Sequence, residues 1–332
     1  MSEQTFKALV LKSEDGQLLP VIEQIGLEAW PEGDTVIDVH YSSINYKDAM
    51  AIGNRGIIRK FPAVPGIDLA GTVRSSANPA YKPGDAVVLT GWGVGERHWG
   101  GYSQVARVKS EWLVPLPAGL SLKQAMQIGT AGLTAMLCVQ ALEHAGLQPG
   151  AGPVLVTGAS GGVGSVAVAI LAKLGHEVWA MTRPEQADYL TALGAKKIVG
   201  RDDFAPAKPG RPVLEAEIFP AIVDTVGGAT LANLLARVAY RGSVASCGLV
   251  GGTEVDTTVY PFIIRGVNLL GIDSVRCPTP VRLSAWQRIV SDLPPAVFEQ
   301  ASREITLEEV PAVAAELLAG HGHGRVVVNL QG

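Results

Sequence analysis

The sequence predicts an α/β protein in which a doubly wound parallel sheet is inserted into a β-rich domain. Three observations predict it. A chain of 332 residues is too long for one ordinary core. From about residue 121 strand-like and helix-like segments alternate, the pattern of a parallel sheet covered by helices. A last strand candidate, 324–329, follows helical segments at 280–292 and 307–319, and a terminal strand needs a sheet to join. The β-rich first domain is the expected acceptor. The expected division is therefore 1–126 with 275–332 for the β-rich domain and 127–274 for the parallel-sheet domain.

Segments 7–11 and 35–44 read as strands. In the second, Ile37, Val39 and Tyr41 alternate with Asp38 and His40, the period of a half-buried strand. Pro65-Gly66 and Pro83-Gly84 punctuate further short strands to about residue 115. Ser121 can cap a helix running to Ile128, and a long apolar-periodic helix follows from Ala131 to Ala145. Strands are then predicted at 153–157, 177–182, 197–199, 220–224, 242–247 and 267–273.

Nearly half the residues are apolar and the net charge is −4. That mix suits a globular protein, and without a long Lys/Arg run there is no electrostatic reason to expect nucleic acid as a partner. The opening Met1-Ser2-Glu3-Gln4 lacks the basic start and apolar run of a signal peptide. No uninterrupted apolar stretch predicts a membrane span. Cys138, Cys247 and Cys277 are widely spaced, as expected of reduced core thiols in a cytoplasmic protein. The six histidines show no ligand spacing on a common helix face, so no metal site is expected.

Gly158-Ala159-Ser160-Gly161-Gly162-Val163-Gly164 lies between a strand and a helix, with a second strand after it. That context makes it a dinucleotide-binding turn. Glycines permit the sharp turn and let the backbone approach a pyrophosphate, whose charge sits at the helix N-terminus. The second strand ends in Thr182-Arg183, where an NAD site carries Asp or Glu. A hydroxyl beside a guanidinium suits a 2′-phosphate, so NADP(H) is the expected cofactor, held by Ser160, Gly161, Gly162, Val163, Thr182 and Arg183. Lys197 and Arg201 could add positive charge or be surface side chains.

The sequence resembles the medium-chain dehydrogenase/reductase superfamily along essentially its whole length. The resemblance is carried by Asn45-Tyr46-Lys47-Asp48, Pro65-Gly66-Ile67-Asp68, Gly84-Asp85-Ala86-Val87, the Gly129 to Ala135 run, the glycine turn and Leu193-Gly194-Ala195. Gly91-Trp92-Gly93, His98-Trp99-Gly100-Gly101 and Tyr260 to Arg265 resemble the zinc-independent quinone oxidoreductase-like branch, and within it the NADPH-dependent acrylyl-CoA reductases. The resemblance implies a Rossmann domain inserted into a GroES-like catalytic domain. Asn45-Tyr46-Lys47-Asp48 and Ile67-Asp68 occupy the places where zinc alcohol dehydrogenases of the superfamily carry Cys and His-Glu. Without that Lewis acid, reduction of an activated carbon–carbon double bond is expected in preference to alcohol oxidation.

The expected reaction delivers hydride to the β-carbon of acrylyl-CoA, giving propionyl-CoA. Reduction of quinones or small enones is the alternative. Tyr46 is the first catalytic candidate, as orienting group or proton donor, or else a packing aromatic. Asp48 either orients Tyr46 or caps the following helix. Thr130 resembles the family's cofactor-contacting threonine, with a helix cap as the other reading. Leu249, Ile263 and Ser274, after later strands, are expected by resemblance to flank the nicotinamide. Arg325 is either a phosphate ligand or a surface residue. Arg55, Arg59 and Lys60 either meet the phosphates of coenzyme A or lie in a solvated loop. Trp92 and Trp99 form an apolar substrate wall or pack in the core. The last parallel strand lies at a sheet edge, and edge-to-edge pairing into a homodimer would cover it.

Overall fold

The structure is a computed structural model that describes residues 5–205, 213–300 and 302–331. Contacts along the chain divide it into two compact units, Met1–Thr130 with Ser302–Gly332 and Ala131–Ala301.

The first unit opens with strands β1 (Phe6–Glu14) and β2 (Gln17–Ile25), an antiparallel hairpin. Asp15 and Gly16 turn it with φ of 48° and 79°, the left-handed pair that matches strand twist. Then come β3 (Thr35–Ile44), α1 (Tyr46–Ile52), β4 (Asp68–Ser76), β5 (Ala86–Thr90), β6 (Val105–Val108) and β7 (Val114–Pro115). Helix α2 (Leu122–His144) leaves this unit and breaks at Gly129, whose φ of 53° and ψ of −158° are not helical. Among the described residues α2 is the one helix long and apolar enough to cross a membrane, and most of its apolar stretch is buried inside the protein.

The second unit mostly alternates strands with helices. It contains β8 (Pro153–Val156), α3 (Gly162–Lys173), β9 (Glu177–Met181), α4 (Ala187–Ala192), β10 (Lys197–Val199), β11 (Phe219–Asp224), α5 (Gly228–Leu235), β12 (Val238–Ser246), α6 (Tyr260–Arg265), β13 (Asn268–Gly271), α7 (Thr279–Asp292) and α8 (Ala296–Gln300). Its six strands are all parallel, in the order β10-β9-β8-β11-β12-β13. The order reverses between β8 and β11, the switch point at which such sheets bind ligands. Val154, Leu155 and Val156 are fully buried, as a strand covered on both faces requires.

The chain returns to the first unit with β14 (Ser302–Thr306), α9 (Val310–Leu318) and β15 (Arg325–Asn329). β15 pairs antiparallel with β3, Val327 opposite Ser43, so the terminal strand joins the β-rich sheet. That sheet runs β14-β15-β3-β4-β5-β7, with β6 also on β3.

The C-terminal boundary differs from the sequence expectation. Segment 275–301 belongs with the parallel sheet, not with the β-rich unit. Two arginines of α7 give the reason. Arg282, 1% exposed, donates to the carbonyls of Ser274 and Val275, and Arg288 pairs with Glu143 of α2 at 2.8 Å. β13 also ends at Gly271, three residues before Ser274.

Candidate active site

In the second unit, β8 runs into the glycine turn and α3 runs out of it. Gly158 takes φ of +55°. A Cβ on Gly164 would lie 2.3 Å from the Gly158 carbonyl oxygen, so this glycine is what lets α3 pack on the strand end. The Ncap of α3, Gly161, provides no side-chain cap. The first N–H groups of a 12-residue helix therefore point toward any anion placed there. Thr182, just after β9, donates from Oγ1 to Ser160 Oγ at 3.2 Å. The hydroxyls of the turn and of the second strand end thus form one cluster, with Arg183 next in sequence. Arg201 is exposed. The exposed Lys197 ammonium lies 3.8 Å above the centroid of the Trp179 ring.

Asp224, at the end of β11, organises the neighbouring loops and was not legible as a site residue. It is fully buried. Its carboxylate accepts from Thr157 Oγ1 at 2.8 Å, from the Gly227 N–H at 3.1 Å and from Ser246 Oγ at 3.1 Å. One carboxylate so joins the carboxyl ends of β8, β11 and β12. Leu249 and Ile263 are 52% and 72% exposed, open to a ligand. Ser274 is buried and accepts from Thr134 Oγ1 at 2.9 Å, so its oxygen is already part of the internal packing.

In the first unit, Tyr46 is the first residue of α1 and is half-buried. Asn45 is its Ncap, and Asp48 closes a capping box. Asp48 accepts the Asn45 N–H and the Ile67 N–H, each at 2.9 Å. It is fully buried. Of the two sequence readings, the cap describes the bonds Asp48 makes. Burial and the neighbouring Asp68 carboxylate push its pKa up to about 7, against the pull of the two backbone N–H groups.

Asp68, at the start of β4, is the residue around which this region is built. It accepts from Ser43 Oγ at 2.6 Å, Asn45 Nδ2 at 2.8 Å and the Thr130 N–H at 2.9 Å, and from Thr130 Oγ1. It therefore caps the half of α2 that begins after Gly129. Arg325 lies on the other side of the break. Its Nε donates to the Gln127 carbonyl at 3.0 Å, and its Nη atoms donate to Asn45 Oδ1 at 3.1 Å and Ser43 Oγ at 2.8 Å. At 3% exposure it is not the surface residue of one sequence reading, and its guanidinium is taken up by acceptors of the protein itself. It closes the C-terminal carbonyls of one half-helix while Asp68 closes the N-terminus of the other. Tyr102, fully buried, donates to the Ser43 carbonyl at 3.2 Å. Thr130 is not itself the cap of its second reading but the residue that Asp68 caps, and its hydroxyl oxygen keeps lone pairs with which to accept.

Arg55 and Arg59 are both exposed. Arg59 lines a hollow of about 760 Å³ together with Lys60, Arg97 and Trp99, and Arg55 does not. Trp92 is half-buried with φ of +58°. Trp99 stacks edge-on against Trp30 at 5.4 Å and donates to the Pro62 carbonyl at 3.2 Å. Among the described residues no group of three or more His, Cys, Asp or Glu side chains could hold a metal ion.

Two family models match the chain: an alcohol dehydrogenase GroES-like domain over residues 31–118 and a zinc-binding dehydrogenase domain over residues 162–291. The chain belongs to the medium-chain dehydrogenase/reductase superfamily, in its quinone oxidoreductase-like branch. Within that branch it is 56% identical to the acrylyl-CoA reductase AcuI of Ruegeria pomeroyi, over 98% of this chain and 99% of that protein. It is 47% identical to the putative quinone oxidoreductase YhfP of Bacillus subtilis, again over 98% and 99%. The crystal structure of the yhdH oxidoreductase of Salmonella enterica in complex with NADP superposes with a TM-score of 0.94 at 52% identity, covering 97% of this chain and 99% of that one.

Proposed function

We propose that this chain reduces the carbon–carbon double bond of acrylyl-CoA with NADPH, giving propionyl-CoA. The observation that carries the reading is the 56% identity with an acrylyl-CoA reductase across nearly the whole length of both chains.

The cofactor fits the residues present. The uncapped start of α3 accommodates a pyrophosphate, and the Ser160–Thr182 pair with Arg183 beside it offers hydroxyls and a guanidinium to a 2′-phosphate. Bound NADPH supplies the hydride. The chain's own residues bind, orient and handle the proton. Leu249 and Ile263 offer apolar surface to the nicotinamide half. Tyr46 makes no side-chain hydrogen bond among the described residues, so its hydroxyl is available to orient the acyl group or to donate the proton that the α-carbon receives. Negative charge collects on the thioester oxygen during the transfer, and N–H or O–H donors aimed there lower the barrier.

Quinone reduction is the second reading, favoured by the 47% identity with YhfP. Steady-state rates with acrylyl-CoA, acrylate and benzoquinone separate the two. The proposal expects kcat/KM for acrylyl-CoA to exceed the others by orders of magnitude, and a value no better than for acrylate would overturn it. Arg183→Ala should raise KM for NADPH about tenfold, the loss of one charge-assisted phosphate contact of ~1.4 kcal/mol, and leave NADH kinetics little changed.

We also propose a homodimer formed through β13, whose outer edge is open and whose Leu269 is 43% exposed. Cytoplasmic operation accords with three free cysteines, two of them buried.

A further inference from the structure

The hollow beside Trp99 holds more positive charge than the fold needs. Arg59, Lys60 and Arg97 all line it and all are exposed. Among the described residues none of the three makes an ion pair or a side-chain hydrogen bond. Glu96, the acid in the lining, is already matched by Lys47 at 2.9 Å. Three uncompensated cations around one concavity, in a chain of net charge −4, repel one another and attract a polyanion.

Apart from His98, whose ring nitrogens lie against the Trp99 and Glu32 carbonyls, the rest of the side-chain lining is mainly apolar. Ile57, Ile58 and Val64 contribute aliphatic surface. The Trp99 indole is held by its bond to the Pro62 carbonyl and its edge-on contact with Trp30. Such a surface suits a flat ring, and the cations suit phosphates attached to it. The Lys47–Glu96 pair ties this hollow to the turn that carries Tyr46. The ligand expected is one whose charged handle lies apart from its reacting end.

We propose that the hollow takes the 3′-phospho-ADP end of coenzyme A, with Arg59, Lys60 and Arg97 as its phosphate contacts. The proposal rests on the acrylyl-CoA reading and adds where the handle binds. Binding energy from that unreactive part is what would distinguish a CoA thioester from a small enone.

The test compares kcat/KM for acrylyl-CoA with that for acrylyl-pantetheine, which has the same thioester and lacks the nucleotide. In the wild-type protein the ratio should be at least a hundred. In Arg59→Ala/Arg97→Ala it should fall tenfold or more, and in Lys60→Ala severalfold. Adenosine 3′,5′-bisphosphate should inhibit competitively against acrylyl-CoA. A ratio unchanged by the double substitution would overturn the site, as would inhibition competitive with NADPH alone. A wild-type protein that reduces both thioesters equally well also overturns it while leaving enoyl reduction intact. Failure of the parent reading looks different, because neither thioester would then outperform benzoquinone.

Discussion

Gly129 occupies a backbone conformation, φ 53° and ψ −158°, that residues with a Cβ rarely adopt, and it does so against three buried polar side chains of the first unit. A Cβ there would lie 2.6 Å from Arg325 Nη2, 2.6 Å from Asp68 Oδ2 and 2.9 Å from Ser43 Oγ. Gly129→Ala should therefore cost about 3 kcal/mol or more, combining backbone strain with displacement of the Arg325–Asp68 ion pair, 3.8 Å apart, and urea unfolding measures it. The same cluster contains two carboxylates and one guanidinium. Burial pulls the Arg325 pKa down while Asp68 and Asp48 hold it up, and Asp48 rises to about 7. Asp48 is thus raised above its unfolded value of roughly 3.9. Between those pH values the folded state holds a proton that the unfolded state has released. Stability from this group is present below pH ~4 and is lost as pH climbs to about 7. Asp48→Asn should abolish that slope, whatever its effect on absolute stability. A midpoint temperature against pH that stays parallel to the wild type from pH 4 to 7 would contradict it.

At the scale of elements, the two ends of the broken helix α2 and the start of α3 show how local chemistry was read or missed. The α3 turn was legible because every requirement sits within seven consecutive residues. Gly164→Ala tests it: the added Cβ at 2.3 Å from the Gly158 carbonyl should push α3 from its strand and weaken NADPH binding about tenfold or more, as read by fluorescence titration. Retained affinity with retained stability would show that the packing tolerates it. The caps of α2 were not legible. Asp68 is distant in sequence from Thr130, and Arg325 is farther still from Gln127. A side chain that caps a helix from another element leaves no periodic trace.

At the scale of the whole chain, the fold class, the parallel sheet and the return of the last strand to the β-rich sheet could be read from alternation alone. The domain boundary near 275 could not, because α7 is assigned by the burial of Arg282 and the pairing of Arg288 with Glu143, contacts that its own sequence does not announce. Leu269→Lys on the open edge of β13 should convert a dimer to a monomer in sedimentation equilibrium, since a buried unpaired charge opposes edge pairing. A wild-type protein that sediments as a monomer would dispose of the dimer.

What the sequence by itself determined is what adjacency and periodicity encode. The order of strands and helices, the nucleotide turn and the Thr182-Arg183 signature all depend on residues close together in the chain. Only the tertiary structure decided which charges are buried and bonded within the fold and which stand exposed and unpaired among the described residues. Arg325, Asp48 and Asp68 resemble site residues by type and neighbourhood, yet each is buried and bonded within the first unit. Arg97, which no motif singled out, stands unpaired in a hollow with Arg59 and Lys60. The physical reason is that a charge acquires its role from its desolvation and its partners, and both are set by segments far away along the chain.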